Sequence, residues 1–341
     1  YQNLVPETYQ RKQTLANSER YITEELKDME NKLLTASERA KALEVELFKQ
    51  VVETLQQSVE RLLHASRILA TIDVFVSFAT VAVEHHYCKP TLTADTLDIQ
   101  GLRHPVIERQ HQLGEFTPND VRFDDREQRL IIITGPNMSG KSTYCRSIAL
   151  AAIMAQIGCF VPASQAEMKV FDRVFARIGA SDHLASGRST FMVEMNEVAT
   201  ITGNATRDSL IVLDEVGRGT STYDGLALAT AITKYINEKI GACTLFATHY
   251  HELTALESET GIVNYTVSVY EDAREIIFLH KIVPGSASKS YGIHVAKKAG
   301  IPQAITELAT RVLADLEAQG YLVRIEEHAH NVGTCYRCHN D

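Results

Sequence analysis

Gly135-Pro-Asn-Met-Ser-Gly140-Lys141-Ser142-Thr143 decides the fold, because it follows an apolar run ending at Ile133 and opens a helix-forming run from Tyr144 to Ile157. The nonapeptide satisfies G-x-x-x-x-G-K-[ST], and a strand before it with a helix after it is the context in which that pattern holds phosphate. Its glycines let backbone N–H groups close around an anion, and the helix behind directs its positive end at the same point. Gly135, Pro136, Asn137, Met138, Ser139, Gly140, Lys141, Ser142 and Thr143 are therefore all candidate nucleotide contacts. Lys141 brings a point charge to the β- and γ-phosphates, and the Ser142 hydroxyl is a ligand for Mg2+. The expected fold is α/β, a P-loop NTPase that binds and hydrolyses ATP.

The other half of such a site is an acid at the end of another buried strand, and Leu210-Ile-Val-Leu-Asp214-Glu215 supplies a pair. Asp214 is expected to hold the Mg2+ ion, and Glu215 to position or deprotonate the water that attacks in line at the γ-phosphate. Alone, an apolar run ending in two acids is commonly a solvated strand end; the loop upstream gives it the catalytic reading. Leu245-Phe-Ala-Thr248-His249 ends a third apolar strand, where His249 is a candidate γ-phosphate sensor, although a single histidine there is more often structural. Arg129 to Thr134, Ser209 to Leu213, Thr244 to Ala247 and Glu275 to His280 are the expected strands, in a largely parallel sheet.

None of the 18 glycines precedes Gly101, and the first ninety residues hold only Pro6 and Pro90. With helix breakers absent, Tyr9 to Cys88 reads as helical, and Ala40, Leu43, Leu47, Val51, Leu55, Val59 and Leu62 mark one face. Thr35-Ala-Ser-Glu38 fits a capping box between two helices. From Glu38 to about Leu69 a continuous helix would span roughly 45 to 50 Å at ~1.5 Å per residue. Such a stretch is a lever or one wall of an ordinary bundle, and spacing alone leaves both open. The expected domains are a helical arm at 1–90, the α/β domain at 91–317 and a poorly ordered, His-rich tail at 318–341.

The 341 residues are 45% hydrophobic and 23% charged, with 34 Lys plus Arg against 43 Asp plus Glu and a net charge of −9. That balance excludes a surface that binds nucleic acid everywhere and confines DNA contact to a local patch. No unbroken apolar run is long enough to cross a bilayer, so no membrane partner is expected. Six cysteines sit mostly alone in apolar stretches, as expected of reduced, buried thiols in a cytoplasmic protein. Cys335-Tyr-Arg-Cys338-His339 formally fits a haem attachment or half a zinc site, with no export signal and no second cysteine pair to support either. The chain opens at Tyr1 without an initiator Met or a signal-peptide succession and reads as a piece of a longer protein.

TGPNMSGKSTYCRSIALAA, DHLASGRSTFMVEMNEVA, LIVLDEVGRGTSTYDGLALA and TLFATHYHEL, in that order, resemble the ATPase domain of the MutS family of DNA mismatch-repair proteins. The likeness runs from about Tyr9 to Glu317, and RKQTLANSERYITEELKDMENKLL resembles the helix that descends from that family's DNA clamp. The resemblance favours the lever reading and implies an ABC-type ATPase head acting as a homodimer. It also implies coupling of ATP state to a clamp on mismatched DNA, and a MutL-type partner downstream. By the same likeness Ser189, in Ser186-Gly-Arg-Ser189-Thr190, reaches the partner's γ-phosphate; its local reading is an N-cap for the helix starting near Phe191. Phe116 and His280 match the residues that flank adenine, Asn137 matches a side chain near the phosphates, and Arg218, Thr220 and Asp224 match the dimer contact.

Val295-Ala-Lys-Lys-Ala-Gly300-Ile-Pro-Gln followed by a helix to Leu316 has a helix-turn-helix pattern. Glu307 and Asp315 on its second helix suit protein contact better than a major groove, which favours subunit packing. A MutS paralogue acting in recombination and a chromosome-structuring ABC-type ATPase stay open as alternatives, though the latter's signature would read Leu-Ser-Gly-Gly. The family's Phe-x-Glu mispair wedge is not in this sequence, so mismatch recognition is not legible from it.

Overall fold

The computed structural model describes residues 5–110, 116–124, 126–136, 139–179, 190–271, 276–286 and 291–318. It divides into two compact units, Tyr1–Val76 and Ser77–Asp341.

In the first unit β1 (Tyr9–Leu15) and β2 (Ser18–Thr23) pair antiparallel across a two-residue turn, and α1 (Glu24–Gln56) follows. This corrects the expectation of helix from Tyr9. Tyr9, Thr14, Tyr21, Ile22 and Thr23 favour a pleated strand, a preference that the lack of Gly and Pro does not cancel. The Thr23 hydroxyl accepts from Leu26 N at 3.1 Å and Glu24 and Glu25 occupy the first turn, so α1 starts capped and with its dipole complemented. The break expected at Thr35–Glu38 is absent, because Thr35 Oγ1 donates to the Asn31 carbonyl at 2.7 Å and so serves the helix it sits in. α1 stops at Gln57 instead, and α2 (Val59–Glu84) carries the boundary between the units. By length and composition α2 is apolar enough to cross a membrane, although Arg67 and Asp73 interrupt its apolar run.

The second unit is α/β with mixed sheets. It opens with β3 (Thr91–Thr93), β4 (Leu97–Leu102) and β5 (Asn119–Phe123). The alternating part follows as β6 (Leu130–Thr134), α3 (Lys141–Gln156), β7 (Gln165–Lys169), β8 (Val174–Arg177), α4 (Thr190–Asn204), β9 (Leu210–Asp214), α5 (Thr222–Tyr235) and β10 (Cys243–Ala247). The chain continues through β11 (Ile262–Glu271), β12 (Ile276–Pro284), α6 (Gly292–Lys298) and α7 (Gln303–Ala318). Six strands form one sheet in the order β12-β11-β6-β10-β9-β8, parallel throughout except β12 on β11. The other four form a second sheet, β3-β7-β4-β5.

Residues of β6 alternate between two cores. Ile131 and Ile133 pack with Tyr144, Cys145, Ile148 and Ala152 of α3, while Leu130 and Ile132 pack with Val198 and Ile201 of α4 and Ala229 of α5. Each such aliphatic side chain contributes about 1.5–3 kcal/mol on burial, so the end of β6 is held firmly from both faces. Cys145, Cys159 and Cys243 are buried.

Candidate nucleotide site

The carboxyl ends of β6, β9 and β10 lie side by side, the place where open α/β sheets carry their ligands. The loop leaving β6 begins at Gly135 with φ 140°, where a Cβ would stand 3.2 Å from Val267 Cγ2, and ends at Gly140 with φ 102°, the N-cap of α3. Lys141, only 4% exposed, turns its ammonium back into the loop and donates to Gly135 O at 2.6 Å and Pro136 O at 2.8 Å. Burial lowers its pKa, and the charges of Glu215 and Asp214 oppose that shift. Ser139 Oγ donates to Pro136 O at 2.7 Å, closing the turn.

Asp214 ends β9 inside the protein. Burial raises its carboxyl pKa while a hydrogen bond from Ser142 lowers it, and its Oδ1 is buried without a hydrogen-bond partner. An orphaned carboxylate oxygen beside a serine hydroxyl is a costly arrangement that a hard divalent cation relieves, so the donors present fit Mg2+. Glu215 follows with φ 57°, a left-handed backbone that costs about 1–3 kcal/mol outside glycine. Its N–H donates to Ala247 O at 2.9 Å, its Oε1 meets His249 Nε2 at 2.5 Å, and its Oε2 accepts from Arg218. The His249 hydrogen bond, with the charges of His249 and Arg218, holds the Glu215 carboxyl down at about 2.

A cavity of about 560 Å³ is lined by Lys141, Ser142, Thr143 and Glu215 together with Phe116 and His280. His249 bonds to Glu215 without lining that cavity itself. Asp214 opens with Glu215 into an adjoining cleft of about 360 Å³, together with Thr190 and Glu194. Asn137, Met138, Ser189 and the Cys335–His339 segment lie outside the described residues.

Sequence reasoning missed two sets of residues. Arg177, 6% exposed, pairs through Nη2 with Glu194 at 3.1 Å and through Nε with Glu197 at 3.0 Å. Glu194 Oε1 also accepts from Gly217 N at 2.5 Å, which ties α4 to the loop behind Glu215. Asn119, at the start of β5, bonds across to β12. Both sets join chain-distant residues of common types, so no local spacing announces them.

A profile of MutS domain V matches residues 131–317, and one of MutS family domain IV matches residues 1–39. The chain is 52% identical to the DNA mismatch repair protein MutS of Caldicellulosiruptor saccharolyticus, over 92% of the chain and 37% of that protein. It is 54% identical to the protein of the same name in Halothermothrix orenii, over 93% of the chain and 36% of the relative. For that of Clostridioides difficile the identity is 54%, over 91% of the chain and 33% of the relative. The chain thus spans about a third of the length of these curated relatives.

Proposed function

Because the chain belongs to the MutS family, we propose that it is the ATP-binding and hydrolysing P-loop head of a MutS-like DNA mismatch-repair protein, with a lever arm at 1–90 that is helical from Glu24 onward and the ATPase domain at 91–317. The observation that carries the reading is the orphaned, buried Asp214 Oδ1 beside Ser142, next to a cavity that already holds Lys141 and Glu215. The loop from Gly135 to Thr143 wraps the phosphates, and Lys141 exchanges its two carbonyl partners for phosphate oxygens. Ser142 and Asp214 would hold Mg2+, which when bound would supply positive charge to offset that developing on the phosphoryl group. Glu215 orients the attacking water, with His249 and Arg218 fixing its carboxylate. Phe116 and His280 hold the adenine between them.

The family supports three further roles: Ser189 completing the site of a second subunit in a homodimer, the arm meeting mismatched DNA through a clamp, and a MutL-type protein acting downstream. The domain IV match over 1–39 and the domain V match over 131–317 favour an arm and a head in one working unit. ATP binding and turnover by two variants test the central reading. Lys141→Ala should lose ATP binding. Glu215→Gln should bind ATP and lose about 10²–10⁴ in turnover; unchanged turnover would remove Glu215 from the mechanism.

A further inference from the structure

The β11–β12 pairing jumps from Val269↔Phe278 to Val267↔Ile282, so three residues of β12, Leu279, His280 and Lys281, stand against one of β11, Ser268, and have no partner in the ladder. A bulge of this kind redirects a side chain, and here it turns the backbone left-handed at His280, with φ 55°. A non-glycine residue stays in that conformation only when its surroundings over-determine it. Asn119 supplies the constraint. Its side-chain amide, 6% exposed, donates through Nδ2 to His280 O at 3.0 Å and accepts through Oδ1 from Ile282 N at 2.7 Å. One carboxamide thus replaces the strand neighbour that the bulge has lost, satisfying a carbonyl and an N–H that flank Lys281. Lys281 Nζ reinforces the clasp by donating to Pro118 O at 2.9 Å and meeting Asp120 Oδ2 at 3.3 Å.

The bulge sets where the His280 ring lies. Its Nδ1 is 2.9 Å from Ser139 O, and since a carbonyl only accepts, Nδ1 carries the proton. The ring therefore rests against the phosphate loop, close enough that a Cβ on Gly140 would stand 3.4 Å from Nδ1. Asn119 itself lines the same cavity as Phe116 and His280.

We propose that Asn119 is a positioning residue for base recognition: by clasping the bulge of β12 it holds His280 in the cavity that Phe116 also lines, and so gives the site its preference for a nucleoside triphosphate over a bare triphosphate. This rests on the ATP-site reading above. Asparagine is the residue type the task requires, because it donates and accepts at once; aspartate would set a carboxylate oxygen against the His280 carbonyl.

The test measures binding of ATP and of inorganic tripolyphosphate, each with Mg2+, to the wild-type chain and to Asn119→Asp, Asn119→Ser, His280→Ala and the Asn119→Asp/His280→Ala double variant. The wild type should prefer ATP, and His280→Ala should lose that preference. Asn119→Asp should bind ATP about tenfold more weakly, on the scale of one lost stacking contact, while its tripolyphosphate affinity stays unchanged. The double variant should be no worse than His280→Ala. Serine is too short to span both backbone groups, so Asn119→Ser should follow Asn119→Asp and serves if the aspartate variant does not fold. Unchanged ATP affinity in the Asn119 variants, or equal weakening of both ligands, would overturn the positioning role. A wild type that binds ATP and tripolyphosphate equally would sink the base-pocket reading itself, and this proposal with it.

Discussion

At Glu215 the backbone, a histidine and an arginine all act on one carboxylate. With its carboxyl at about 2 instead of 4.5, the folded state binds the proton less readily than the unfolded one. The stability this contributes is therefore complete above about pH 4.5 and is lost as pH falls toward about 2. So weak a base orients water better than it removes a proton from it in the ground state. His249→Ala should move the Glu215 carboxyl titration up toward the ordinary range, read from carboxyl carbon shifts by NMR, and should lower turnover more than ATP affinity. A titration that stays near 2 would show that Arg218 alone holds the carboxylate. Lys141, Ser142, Asp214 and Glu215 could be nominated from sequence because the patterns that mark them, a glycine-rich loop after a strand and an acid pair at a strand end, are local. Asn119, Arg177 and Glu194 could not, since their partners are distant in the chain.

Among the elements, β6, α3, β9 and β10 were readable from apolar runs and the glycines between them, as both faces of the sheet are covered and nothing contradicts local preference. The β1–β2 hairpin and the unbroken α1 were not, because Thr and Ser serve strands, caps and helix interiors alike, and a single hydroxyl bond decides among them. Helix α7 bears on assembly. Ile305, Leu308 and Val312 recur along one face and are 56%, 55% and 48% exposed, an apolar stripe suited to a second copy of the chain. Leu308→Asp should convert a dimer to monomers in sedimentation velocity and leave ATP binding per chain intact. It should also cost ~10² in turnover, the scale of losing one preorganised donor, if Ser189 completes the partner's site. A monomeric variant with full turnover would mean that each subunit is self-sufficient.

For the whole molecule the proposed lever makes ATP and DNA reciprocal: whatever factor ATP applies to DNA affinity, DNA applies to ATP affinity, typically about 5–150-fold. Dyes on Lys49 and on the α/β domain, in a Glu215→Gln background saturated with ATP, should report a changed distance distribution relative to the nucleotide-free protein. An unchanged distribution would leave the ATPase reading standing and remove the lever. The sheet order has a further consequence, in time rather than space. β6, the strand that leads into the loop opening at Gly135, lies between β10 and β11, and its Thr134 contacts Thr266 from 132 positions further along the chain. A ribosome adding ~5–20 residues per second completes the loop many seconds before either flanking strand exists. During that interval Leu130–Thr134 is an apolar strand with two open edges, the kind of nascent segment that associates wrongly and that chaperones shield. Substitutions in β10 or β11 that the finished sheet would tolerate are therefore most harmful during synthesis, and their mark is a lower yield of protein whose surviving molecules work normally.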